Sequence, residues 1–150
     1  MMKYHISVFY CVNSFDASML DRLPFKDRVV FKPVKMACSS MVKDVYLLRA
    51  FEADADAVVV LVCPEGHCRY VEGNLRAAKR IDWLRRLLDE IGIGGVRLVL
   101  CHASSGRANA AGACFESMLT MLEAEGFSPA RSRWGAGAAS DQRRNGKPQR

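Results

Sequence analysis

Four stretches of this chain are apolar with few breaks, and the segments between them carry polar residues at helical spacing. The strand-like stretches are Tyr4 to Tyr10, Arg28 to Met36, Ala57 to Cys63 and Val96 to Cys101. The third is a Val-rich run without a polar member, a pattern that suits a strand covered on both faces. A short helical pattern near Asp16 to Arg22 follows the first stretch, and Pro24 interrupts it. Ser40 is placed to cap a helix from Met41 to about Ala53, with Met41, Val45 and Leu48 on one face. Asp44 falls in its first turn, where the helix dipole favours a carboxylate. The strongest helix follows a cap at Asn74: Leu75, Ala78, Ile81, Leu84, Leu88 and Ile91 recur at three- and four-residue spacing, and Gly92 ends it. An alanine-rich helix from about Arg107 to Glu125 comes last.

Strand and helix alternate, and that order predicts a parallel sheet with right-handed crossovers. The expected fold class is α/β: a flavodoxin-like three-layer sandwich whose four-stranded parallel sheet has the order 2-1-3-4. One domain over residues 1–127 accounts for all the periodic segments. From Ser128 onward Gly, Ala, Ser, Gln and Arg dominate without periodicity, so residues 128–150 are expected to form a basic, disordered tail.

The formal net charge of +6 suggests nucleic-acid binding until it is localised. Residues 131–150 hold six basic side chains and one acid, Asp141, a net of +5 that leaves +1 for residues 1–130. With the folded part nearly neutral, bulk charge does not argue for a nucleic-acid face, and no nucleic-acid partner is expected. No apolar run approaches the roughly 20 residues of a membrane span. The first residues lead straight into a strand instead of a signal peptide, so a cytoplasmic location is expected.

Six cysteines without an export signal read as reduced thiols, either ligands or small buried hydrophobes. Four of them, Cys11, Cys38, Cys63 and Cys68, fall at or just past the ends of the first three strands. In the 2-1-3-4 order those strands are neighbours about 4.8 Å apart, so their thiols converge within roughly 10 Å at one sheet edge. Cys63 to Cys68 is a C-x4-C loop in which Gly66 gives the backbone its turning freedom. Thiolates select zinc, copper(I) or iron-sulfur clusters over magnesium and calcium. Structural zinc usually takes two tight C-x2-C pairs, whereas Cys11 and Cys38 come singly from separate strands, which leans toward a cluster. The competing reading is that these cysteines simply fill the core.

The stretch from Met36 to Leu100 resembles the delta subunit of methyl-viologen-reducing hydrogenase, also called the hydrogenase iron-sulfur subunit family. The likeness rests on Cys38-Ser39, Ala50-Phe51 followed by Ala55-Asp56-Ala57, Cys63 with Gly66 and Cys68-Arg69-Tyr70, Gly73-Asn74, Lys79-Arg80 and Glu90-Ile91-Gly92-Ile93. With Phe9 to Asn13 it covers roughly residues 4 to 105. The resemblance implies a non-catalytic electron-transfer subunit that carries a 2Fe-2S cluster on Cys11, Cys38, Cys63 and Cys68. It also implies partners: a hydrogenase or other electron donor on one side, a heterodisulfide reductase A-like flavoprotein subunit on the other. The family has a further cysteine where this chain has Ser14, and Ser104-Ser105-Gly106-Arg107 replaces a stretch that tends to be acidic. Ser14 and Cys101 are the reserve donors.

Two other functions compete with this one: a zinc-stabilised interaction module and a thiol-disulfide protein using Cys63 and Cys68. His67, inside the C-x4-C loop, reads as a hydrogen-bonding or solvent-facing residue. His102 and Cys101 are adjacent on an extended chain, point to opposite sides and so do not form a catalytic pair. Cys114, within the alanine-rich helix, reads as packing.

Overall fold

In a computed structural model, which describes residues 3–12, 15–63, 73–102 and 108–133, the four apolar stretches pair as parallel strands in the order β2-β1-β3-β4. The strands are β1 (Tyr4–Cys11), β2 (Val29–Met36), β3 (Ala57–Val62) and β4 (Leu98–His102). The helices are α1 (Asp44–Glu52), α2 (Gly73–Glu90), α3 (Ala108–Glu125) and α4 (Pro129–Arg133). The segments Ala17–Arg22 and Ser39–Met41 form 3-10 turns. The expected α/β class and strand order are both present.

All six residues of β3 are buried, as its unbroken Val run demands of a strand with neighbours on both sides and helices on both faces. One core lies between the sheet and α3: Ile6, Val8, Tyr10, Val59, Leu61 and Cys101 meet Phe115, Met118, Leu119 and Leu122, with Phe15, Leu20 and Phe25 closing the end. The other lies toward α1 and α2, where Phe9, Val58, Val60 and Val62 meet Leu47, Phe51, Ile81, Leu84 and Leu88. Alternation along each strand divides the side chains between the two cores. β2 is an edge strand whose Val30, Lys32, Pro33 and Lys35 are exposed.

Helix positions differ from the periodicity in instructive ways. α1 begins at Asp44, and the residues it buries are Leu47 and Phe51, while Met41 and Val45 are exposed. Val42, just ahead of the helix, is fully buried and starts the stripe. Ser40 does not cap α1: it sits in the preceding 3-10 turn, and Lys43 holds the cap position without a side-chain bond. In α2 the buried stripe runs through Ala77, Ile81, Leu84 and Leu88, while Leu75 and Ile91 at the two ends stay exposed. Gly92 terminates α2 with φ +81°, as expected of a left-handed cap.

Past α2 the chain turns sharply into β4, and Gly95 makes the turn possible. A Cβ there would lie 2.6 Å from the Arg85 carbonyl oxygen, on the backbone of α2. The Gly95 amide donates to Asp89 Oδ1 at 2.7 Å, which holds the turn against the helix. Gly95→Ala is therefore expected to cost about 1–3 kcal/mol by forcing α2 and the turn apart. Urea denaturation checks it, the expected result being a lower midpoint at an unchanged slope.

Packing continues beyond the boundary expected at residue 127. Ser128 and Ala130 are buried, and the Ser128 amide donates to Asp56 Oδ1 at 2.8 Å. Arg131 pairs with Asp56 Oδ2 at 2.9 Å, and the same oxygen accepts the His5 amide at 2.9 Å. The fully buried Asp56 thus fastens α4 to the start of β1. Composition alone assigns residues 128–133 to the tail, because a short polar helix held by distant charges leaves no periodic signal.

Candidate metal centre

β1 ends on Cys11, β2 stops two residues before Cys38, and β3 ends one residue before Cys63. Register brings these ends level: Cys11 lies opposite Met36 across β1 and β2, and Tyr10 opposite Leu61 across β1 and β3. All three cysteines are buried, with relative exposures of 2% for Cys11, 6% for Cys38 and 4% for Cys63. The Cys11 and Cys63 sulfurs are 3.9 Å apart. Two thiolates sharing one tetrahedral metal at about 2.3 Å would stand about 3.8 Å apart, so this pair already has ligand spacing.

Among the described residues, backbone and a hydroxyl also meet these sulfurs. Cys11 Sγ faces the Ala37 carbonyl oxygen at 3.9 Å, which ties it to the segment leading to Cys38. The Ser40 hydroxyl donates to Cys38 Sγ at 3.2 Å, the role it takes instead of capping a helix. Hydrogen bonds of this kind tune an iron-bound sulfur by stabilising negative charge on it. The Val12 amide donates to Met36 O at 3.0 Å and the Met41 amide to Cys38 O at 3.0 Å, so the turns after both thiols are fixed by main chain. Arg80 of α2 braces the same region by donating to the Val42 carbonyl and pairing with Asp44 at 3.7 Å. Only its tertiary contacts reveal this role, since in sequence Arg80 is one of several basic residues on α2.

Among the described residues, no three His, Cys, Asp or Glu side chains converge on one point in a way that could hold a metal ion. Cys68, together with Ser14, His67 and Arg69, lies outside the described residues. The structure therefore brings together Cys11 and Cys63 and sets Cys38 on the neighbouring loop. These residues fit a thiolate-bound metal group: two soft donors at ligand spacing, a third nearby with a hydroxyl on its sulfur, and burial that keeps water away.

Cys101 does not join them. It packs with Tyr10 and Leu61 in the core under α3. Cys11, next to Tyr10 on the strand, points to the opposite face. Cys101 is instead disulfide-bonded to Cys114 of α3, so the two cysteines read from sequence as a reserve donor and a packing residue form a pair. His102 Nδ1 lies 3.2 Å from the Cys63 carbonyl oxygen, which links the end of β4 to the site through the backbone.

A cleft of about 360 Å³ opens beside this edge, lined by Phe9, Val34, Met36, Met41 and Tyr46 and bordered by Lys35 and Arg49. No helix among the described residues is long and apolar enough to cross a membrane.

Comparison with known proteins adds a family to this geometry. Residues 6–126 match the model of the family described as methyl-viologen-reducing hydrogenase, delta subunit. The iron-sulfur subunit of the F420-non-reducing hydrogenase vhu of Methanocaldococcus jannaschii is 36% identical over 96 residues, 64% of this chain and 72% of that protein. The corresponding F420-non-reducing hydrogenase iron-sulfur protein of Archaeoglobus profundus is 36% identical over 84 residues, covering 56% of this chain but only 61% of the relative. A ferredoxin:CoB-CoM heterodisulfide reductase subunit of Methanosarcina mazei is 30% identical over 83 residues, 55% of this chain and 10% of that much longer protein. The family match spans most of the chain and contains all three described thiols, and the chain belongs to the methyl-viologen-reducing hydrogenase delta subunit family.

Proposed function

We propose that Cys11, Cys38, Cys63 and Cys68 hold a 2Fe-2S cluster. In this reading the chain relays electrons between a hydrogenase, or another donor, and the flavin subunit of a heterodisulfide reductase-type complex in the cytoplasm. The observation that carries the reading is the 3.9 Å approach of the Cys11 and Cys63 sulfurs at the carboxyl ends of adjacent strands. Four cysteines suffice for two irons at two ligands each, so the Ser14 position is not required. Relatives named as iron-sulfur subunits support the cluster. The partner is supported by a different fact: a stretch similar to this chain makes up a tenth of a heterodisulfide reductase subunit. A sequence found both as a separate chain and inside a larger protein suits a module that works against the remainder of that protein.

The bound cluster supplies one-electron transfer, and the protein needs no acid, base or nucleophile for that task. Its residues have three duties. The strand ends hold the sulfurs, burial excludes water, and the Ser40 hydroxyl stabilises charge on Cys38 Sγ. The cleft beside β2 gives a partner an apolar seat with cations at its border, close to the thiols.

Anaerobic purification followed by iron analysis, visible absorption and electron paramagnetic resonance after reduction tests the proposal. The expected protein is coloured, holds about two irons per chain and gives a signal on one-electron reduction. Bound zinc with no colour would replace the relay with an interaction module. A colourless protein that cycles a Cys63 to Cys68 disulfide would make it a thiol-disulfide protein. Co-purification with a heterodisulfide reductase A-like flavoprotein tests the partner.

A further inference from the structure

The thiol site leaves two cysteines unused, and the fold joins them. Cys101, near the end of β4, and Cys114, in the first half of α3, are disulfide-bonded with Cα atoms 6.5 Å apart, inside the roughly 4.4–6.8 Å span that disulfides use. We propose that this pair is a second redox site, a two-electron dithiol-disulfide couple that responds to the ambient thiol pool and makes or breaks the covalent tie between β4 and the first half of α3.

Two observations, and one consequence of the proposed cluster, carry this beyond a structural cross-link. First, the two residues differ in exposure: Cys101 is 7% exposed within the core, whereas Cys114 is only partly buried on α3. That asymmetry is what a reversible pair needs, one thiol to meet a small molecule and one to resolve the product. Second, and resting on the cluster proposed above, a compartment that keeps Cys11, Cys38 and Cys63 usable as thiolates is a reducing one, where disulfides that form are mostly transient or sensing. Third, the pair has a physical connection to the other site. His102, the residue after Cys101, meets the Cys63 carbonyl, and only residues 103–107 separate it along the chain from α3. Opening the bond removes the covalent tie between the first half of α3 and the strand that borders Cys63.

The exchange balances with a low-molecular-weight disulfide, RSSR, as oxidant. The Cys114 thiolate attacks one sulfur of RSSR; the S–S bond breaks, RS⁻ leaves, and Cys114 carries a mixed disulfide. The Cys101 thiolate then attacks Cys114 Sγ, forming the internal bond and expelling the second RS⁻. Both protons end on the two RSH formed; two protein thiols are oxidised and RSSR is reduced. Excess thiol drives the same steps backward.

The test uses the full-length chain, purified anaerobically and equilibrated with glutathione whose ratio of oxidised to reduced form is stepped over roughly four decades. Samples are quenched in acid, alkylated and read by peptide mass spectrometry. The expected result is a linked Cys101–Cys114 peptide that rises from almost none to almost complete through one midpoint. Cys101→Ser should trap glutathione on Cys114, and Cys114→Ser should leave Cys101 several-fold less modified. A pair linked at every ratio, or alkylated at every ratio, overturns the proposal, as does equal trapping in both variants. Iron content, measured in the same samples, is expected to be unchanged in both variants, so failure here is distinguishable from failure of the cluster assignment.

Discussion

Cys63→Ala is expected to leave the chain folded but with most of its iron gone. Cys63 contributes little volume, and an alanine in its place deletes one buried sulfur, a loss of about 1 kcal/mol that a domain of this size tolerates. The consequence for the metal is far larger. Removing one of the two sulfurs that stand 3.9 Å apart abolishes the ligand spacing of the pair. Cys38→Ala is expected to behave alike, since its sulfur takes both the metal and the Ser40 hydroxyl in the proposed site. Cys114→Ala is the control and should retain the iron of the wild type, because its sulfur meets Cys101 under α3. Iron per chain, measured alongside circular dichroism, separates lost ligands from lost structure. Equal iron in all three variants would remove the ligand assignment.

The largest stability effect is expected at Arg97. This residue is 3% exposed and spends its donors on main-chain carbonyls. Nε donates to Ile93 O at 3.1 Å; one terminal nitrogen donates to Asp56 O at 3.1 Å and Gly126 O at 3.0 Å; the other reaches Glu125 O at 3.4 Å and Phe127 O at 3.3 Å. The last three carbonyls lie at and just beyond the end of α3, where no helical amide remains to pair with them. Burial draws the Arg97 pKa below its ordinary value, while Asp56, Glu125 and Tyr4 oppose that shift. Arg97→Ala removes these donors at once and leaves buried acceptors behind, at a cost of about 3–5 kcal/mol. The melting temperature should fall on the order of 10 °C. Arg97→Lys should recover only part of it, since a single ammonium cannot span carbonyls from three segments. A thermal melt unchanged by Arg97→Ala would show those bonds to be worth nothing.

Much of this architecture is legible in the residues alone. An unbroken Val58-Val59-Val60-Leu61-Val62 run says that β3 is central, and alternation of strands with helices limits the sheet to parallel orders. The placement of Cys11, Cys38 and Cys63 at one edge follows from the same reasoning. What stays hidden depends on contacts between distant segments. Arg97 falls inside the fourth apolar stretch with nothing local to mark it; its burial makes sense only once three carbonyl-bearing segments surround it. Ser40 looks like a helix cap because serine before an apolar stripe usually is one, yet a nearby sulfur captures its hydroxyl. Cys101 and Cys114 are 13 positions apart on elements of different kinds, and no local pattern predicts their meeting. Asp56 stands out in the sequence only as part of Ala55-Asp56-Ala57, yet it holds both the first strand and the last helix.

The outer strand has one more consequence. β2 offers the surroundings Lys32, Pro33 and Lys35, and a proline lacks the amide that an added strand would need. That break in the row of amides disfavours lateral growth of the sheet on the flank nearest Cys38. A partner seated in the cleft beside β2 thus meets side chains such as Phe9, Val34 and Tyr46 and not an open row of amides.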